Sequence, residues 1–202
     1  MGPAHLVPLD PLTYQLTNQP TKDQTMTTTT KSIQAGNTAI RRTRPSRPAC
    51  YLYETCQFKV GSTLDYGCGH GKDVRFYVDQ WMNAEGYDQI HHPALPALET
   101  GKKYDNVVLT YVLNTIDPVS RYACLLDAVK LLVNGGRLMI TVRADVERTA
   151  TKKGWPKHRD GYWSNQRRGM FQADISMFEL KALVKHVFDA PNQIQDFVVL
   201  HE

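Results

Sequence analysis

The stretch STLDYGCGHGKD, Ser62–Asp73, constrains this chain more than any other segment. It sets three glycines at alternate positions, Gly67, Gly69 and Gly71, after a β-prone run and before a segment of helical period. Glycine takes positive φ without steric cost and leaves no side chain between backbone and ligand. A helix that begins there also offers N–H groups with no partner inside the helix. Strand, glycine turn and helix in succession predict a parallel α/β sheet that binds its ligand at the C-terminal ends of the strands.

The rest of the chain fits that plan. ACYLYETCQF reads as a short helix and STLDYG as the strand that enters the turn. KDVRFYVDQWM places Val74, Tyr77, Val78 and Trp81 on one helical face. AEGYD is a second strand, and YDNVVLTYVLN is a buried one, rich in β-branched and aromatic residues. Asp117 and Pro118 stand as N-cap and first residue of a helix that runs to NGG, and RLMITVR is the next strand. Ser176 with Glu179 marks a capping box before SMFELKALVKHVF, and QDFVVLHE is a terminal strand. The expected fold is Rossmann-like α/β, a mostly parallel central sheet with helices on both faces.

Residues 1–30 hold four prolines and the run TMTTTT without periodicity, and are expected to form a disordered tail. Residues 31–48 carry Lys31, Arg41, Arg42, Arg44 and Arg47 and no acid, which reads as a basic N-terminal arm able to touch phosphates. The domain proper is expected over 49–202. Cys50, Cys56, Cys68 and Cys124 form no C-x-x-C pair and no zinc-finger spacing, so reduced thiols, no metal and a cytoplasmic location are expected. No apolar run reaches membrane-spanning length, and the first residues lack the pattern of a signal peptide.

The glycine pattern is G-x-G-x-G, not the G-x-G-x-x-G of dinucleotide binders. Asp65, two residues before Gly67, would repel a pyrophosphate and suits a cationic group. Asp88, 23 residues beyond Asp65 at the end of the second strand, is placed to accept hydrogen bonds from ribose hydroxyls. LDYGCGHG resembles motif I of the class I S-adenosylmethionine-dependent methyltransferases, D/E-x-G-x-G-x-G, at all four defining positions. The resemblance implies S-adenosylmethionine as cofactor, held by Asp65, Gly67, Cys68, Gly69, Gly71, Asp88 and Tyr111, with Asp65 on the methionine amino group. KSIQAGNTAI, RPSRP, DYGCGHGKDVR, GYD, YVLNTI, RRGMFQ and FELKALV together resemble a methyltransferase family associated with DNA phosphorothioation gene clusters. Against the class I plan, only one strand follows the last helix, and Glu99 is the one loose candidate for the adenine-contacting acid.

Methyl transfer is an in-line displacement, so the protein supplies orientation, exclusion of water and a proton acceptor where the nucleophile needs one. The acceptor site is expected beside the end of the strand at Val107–Tyr111, with Tyr111 and Asn114 as candidate catalytic residues. Neither a [DNS]-P-P-[YFW] motif nor a Pro-Cys nucleophile is present, and Cys124 reads as core. Thr151–Gln172 carries six basic residues against Asp160, interleaved with Trp155, Tyr162 and Trp163. Basic residues track phosphates and aromatic faces stack on bases. This stretch is expected to be a loop that holds a nucleic acid, with Trp163, Arg167, Arg168, Lys157 and Arg159 as substrate-binding candidates. His158 is a weaker candidate for a base, and His91 and His92 read as loop residues near the adenosine pocket. The alternatives are a small molecule or protein as methyl acceptor, or a non-catalytic partner that binds cofactor or nucleic acid.

Overall fold

The structure, a computed structural model, describes residues 32–94, 100–188 and 196–201. The expected tail, residues 1–30, and Glu99 lie outside them. Five strands form one parallel sheet: β1 (Ser62–Tyr66), β2 (Asn83–Tyr87), β3 (Tyr104–Thr110), β4 (Leu132–Val142) and β8 (Asp196–His201). Their order is β2-β1-β3-β4-β8, every neighbouring pair parallel. The chain leaves β1 in one direction and β3 in the other, so the topological switch point falls between those two strands. In open α/β sheets the crevice at that point takes the ligand.

Helices cover both faces, as the sequence predicts. Alternation along β3 sends Val107 and Leu109 to one face and Val108 to the other. The first face packs on α3 (Pro118–Lys130) and α5 (Met177–Phe188), through Leu125, Val129, Leu180 and Val184. The second packs on α1 (Arg47–Glu54), where Leu52 meets Val108 and Met139. Phe58 on that side also meets Tyr77 of α2 (Lys72–Asp79), ring centroids 5.2 Å apart.

The helix starts are set locally. Ser46 accepts from the Ala49 N–H with Pro48 in the first turn, so α1 begins two residues earlier than expected. Asp117 accepts from Val119 and Ser120 and starts α3. Ser176 and Glu179 exchange bonds in the predicted capping box. The predicted stop of α3 at NGG is corrected. Tyr104 N–H donates to Leu131 O and draws the chain into the sheet, so the helix ends at Lys130 and NGG lies inside β4. The register shifts there, with Gly135 at positive φ.

Two further corrections concern the basic segments. Residues 32–46 are no separate arm. Gln34 N–H donates to Gly169 O at 2.8 Å, Asn37 Nδ2 to Arg168 O at 2.8 Å, and Ser46 N–H to Asp73 Oδ1 at 2.7 Å. Nor is Thr151–Gln172 a loop. After α4 (Val146–Lys153) it folds into an antiparallel three-stranded sheet of β5 (Lys157–His158), β6 (Gly161–Asn165) and β7 (Met170–Gln172). Trp163, Phe171 and Ala173 form its own small core. Among the described residues no helix is long and apolar enough to cross a membrane.

Candidate cofactor and acceptor site

A cavity of about 770 Å³ opens at the C-terminal ends of β1 and β3, where the topology places a ligand. The turn after β1 forms its floor. Gly67, Gly69 and Gly71 all take positive φ, 84°, 55° and 72°. Gly67 is also closely approached, since an added Cβ would lie 2.5 Å from Val112 Cγ2. The N–H groups of Gly67 and Cys68 both donate to Tyr87 O, fixing the turn to the end of β2.

Asp65 reaches this cavity from β1 and is only 2% exposed. Its carboxylate takes no hydrogen bond from the described residues. Burial, with Asp73 nearby, pushes its pKa well above the usual carboxylate range, against the pull of Arg42. A buried carboxyl group without a partner is costly to ionise, and a cationic or donating ligand would offset that cost. Asp88 is more occupied than expected. Its oxygens accept from the N–H groups of Ile90, His91 and Gly69, at 3.0, 2.9 and 3.1 Å. A carboxylate has about four acceptor positions, so one stays open to a ribose hydroxyl. Cys68 lines the cavity, and burial, with Asp65 next in effect, raises its pKa, which keeps the thiol protonated.

Tyr111 lies just past β3 with φ 61°, a conformation that costs a non-glycine residue about 1–2 kcal/mol. Its ring lines the cavity, with the Arg42 guanidinium 5.7 Å from the centroid. Asn114 also borders the cavity, yet it is 1% exposed and its amide is spent on the protein. Nδ2 donates to Arg143 O and Ala173 O at 3.1 and 2.7 Å, and Oδ1 accepts from Arg143 N–H at 2.9 Å. Asn114 therefore joins the end of β3 to the end of β4 and the segment after β7. Both amide hydrogens are thereby used within the protein.

The expected substrate contacts are rearranged. Trp163 is 4% exposed and stacked on His158, ring centroids 4.4 Å apart, so it cannot stack on a base. His158, its pKa lowered by burial and by Arg159, belongs to the same packing and does not line the cavity. Lys157, Arg159, Arg167 and Arg168 are exposed and stand outside the cavity wall. Asp160, the one acid of this stretch, is pinned by Arg121 at 2.5 Å, which leaves the small sheet an outward charge that is basic. Cys124 packs against the main core, as expected, but also lines the cavity. The cysteines form no disulfide.

Sequence reasoning missed three features. The first is a strap, Ile33–Ile40, which lines the cavity and bridges its rim. It is tied to the small sheet through Gln34 and Asn37, and to the turn after β2 by His91 Nε2 facing Gly36 O at 3.0 Å. The second is Arg42, which follows the strap into the cavity and faces Asp73 Oδ2 at 3.8 Å. The third is a polar end where Arg143 holds Asp145 Oδ1 by two bonds and Gln172 Oε1 by one. The contacts that build all three span 28 or more residues of sequence, apart from Arg143–Asp145, and local periodicity carries no signal for them.

A parallel α/β sheet ending in an acid-preceded triple-glycine turn, with a cavity at its switch point, defines the class I methyltransferase type of Rossmann-like fold. The chain belongs to the methyltransferase-domain family, which it matches over residues 40–189. A search of curated proteins finds no match. One similar solved structure is 1,6-didemethyltoxoflavin-N1-methyltransferase from Burkholderia thailandensis, with bound 1,6-didemethyltoxoflavin and S-adenosylhomocysteine. It is 16% identical, with a TM-score of 0.48, over 70% of this chain and 65% of that one.

Proposed function

We propose that this protein is an S-adenosylmethionine-dependent methyltransferase whose acceptor is a nucleic acid. The cofactor fits the residues present: the Asp65 carboxylate, without a hydrogen bond, suits an ammonium group, and the positive-φ glycine turn brings bare backbone to the cavity. When bound it supplies an electrophilic sulfonium methyl. The chain's own part is to hold and orient: Asp65 and the glycine turn for the amino-acid end, Asp88 for the ribose, the strap to exclude water. Tyr111 borders the acceptor side, and Asn114 sets the spacing of the strand ends around it.

The observation that carries the nucleic-acid reading is where the two basic segments meet. Arg41 and Arg44 follow the strap, while Arg167 and Arg168 stand in the turn bonded to it, and all four are exposed. Two basic segments from distant parts of the sequence are thus joined by hydrogen bonds. A polyanionic substrate suits such a joined basic surface. The resemblance to a phosphorothioation-associated family agrees with this reading.

A second reading, a small-molecule acceptor, draws on the strap that spans the rim and on the polar end formed by Arg143 and Gln172. Transfer of labelled methyl from the cofactor to DNA and RNA oligonucleotides at low salt tests the proposal. Incorporation into either supports it. Incorporation only into small molecules, with no polynucleotide binding at low salt, removes it.

A further inference from the structure

Three cations line the cavity among the described residues: Arg42, Lys72 and Arg143. The Arg143 guanidinium is committed to Asp145 and Gln172. The Arg42 guanidinium is held in place but not consumed. Asp73 faces it at 3.8 Å, beyond hydrogen-bond length, and the other Asp73 oxygen accepts from Ser46 N–H. The Tyr111 ring lies 5.7 Å away. None of the N–H donors of Arg42 makes a hydrogen bond among the described residues, and its side chain is one-third exposed. Asp65 lines the same cavity within the electrostatic reach of Arg42, buried and equally without a hydrogen bond.

A carboxylate without a hydrogen bond and a guanidinium whose N–H donors are open, both lining one cavity, match a ligand that bears both charges near one atom. An α-amino acid is such a group: its ammonium suits Asp65 and its carboxylate suits a planar fork of donors. Arginine binds carboxylates with two parallel bonds, which the point charge of Lys72 cannot do. Resting on the methyltransferase reading, we propose that Arg42 binds the α-carboxylate of the cofactor's amino-acid end. Asp65 and Arg42 then read the zwitterion together, and the N-terminal segment that carries the strap becomes part of cofactor selection.

Three ligands separate the two charges: S-adenosylhomocysteine, its decarboxylated analogue, which keeps the amine, and 5′-methylthioadenosine, which has neither group. Calorimetry is run on the full chain and on Arg42→Ala, Arg42→Lys, Lys72→Ala and Asp65→Asn. Arg42→Ala should weaken S-adenosylhomocysteine by about 10- to 50-fold, the scale of a charge-assisted pair. It should leave the other two ligands unchanged, with Arg42→Lys in between and Lys72→Ala near wild type. Asp65→Asn should weaken both amine-bearing ligands and spare 5′-methylthioadenosine, whose binding also shows that each variant is folded. Equal loss for all three ligands in Arg42→Ala, or no loss for any, overturns the assignment of Arg42 while the methyltransferase reading stands. A wild-type protein that binds none of the three overturns both.

Discussion

At the scale of single residues the site turns on Asp65, a carboxyl group buried without a partner. Burial and the neighbouring Asp73 raise its pKa in the folded protein. A group whose folded pKa lies above its unfolded value favours the native state fully below the unfolded value, here 3.8, and loses that contribution as pH rises towards the folded one. Asparagine has the same shape and no charge to bury. The ligand-free Asp65→Asn protein should therefore match wild type in Tm near pH 3.8 and exceed it increasingly as pH rises to neutrality. Thermal melts across that range check this, and a variant less stable than wild type at pH 7 would refute it. In the same variant cofactor binding should weaken by about 1–3 kcal/mol, the scale of a lost charge-assisted hydrogen bond. Asp65 and its glycines were legible in the sequence because their meaning is local: backbone freedom and a charge at fixed spacing. Arg42 was read only as one positive charge among five, because its partners Asp73 and Tyr111 are far along the chain.

At the scale of elements, the parallel strands and their helices were legible because each carries its own period or cap, from the β-branched run of β3 to the Ser176–Glu179 box. The small sheet was not, although Gly161 and Trp163 are buried and Tyr162 and Ser164 less so, in strict alternation. Its strands are as short as two or three residues, and their basic side chains read as a solvated surface. Trp163 is a buried packing residue of that sheet. Its ring packs edge-on to Phe171 at 6.1 Å and stacks on His158, so it supports the turn that carries Arg167 and Arg168. Trp163→Ala should destabilise the protein by about 3–5 kcal/mol, the cost of truncating a core aromatic, read from urea unfolding. A base-stacking tryptophan would behave differently: stability would hold, and only polynucleotide affinity would fall.

At the scale of the whole molecule, two exposed basic segments from distant parts of the sequence are hydrogen-bonded to each other. Net charge alone, +4, does not indicate a partner. The hydrogen bonds from Gln34 and Asn37 to the turn at Arg168 and Gly169 do more, since they tie the segment that runs on to Arg41 and Arg44 to the turn that carries Arg167 and Arg168. If these side chains lie along a phosphate backbone, each contact releases a condensed counterion, and the logarithm of affinity falls linearly with that of salt. Arg41→Ala and Arg168→Ala should each lower the magnitude of that slope for a DNA or RNA oligonucleotide by about one, and the double variant by about two. Each substitution removes a separate phosphate contact, so their effects on the slope should add. Arg75, exposed on α2 and paired with Asp79 at 3.1 Å, stands off the cavity wall and serves as the control. Fluorescence anisotropy between 50 and 200 mM salt, roughly the range over which such contacts weaken steeply, reads the slopes. Equal slopes in wild type, Arg41→Ala and Arg168→Ala would mean that the rim does not bind the backbone, and the acceptor would then be sought among small molecules at the Arg143–Gln172 end of the cavity.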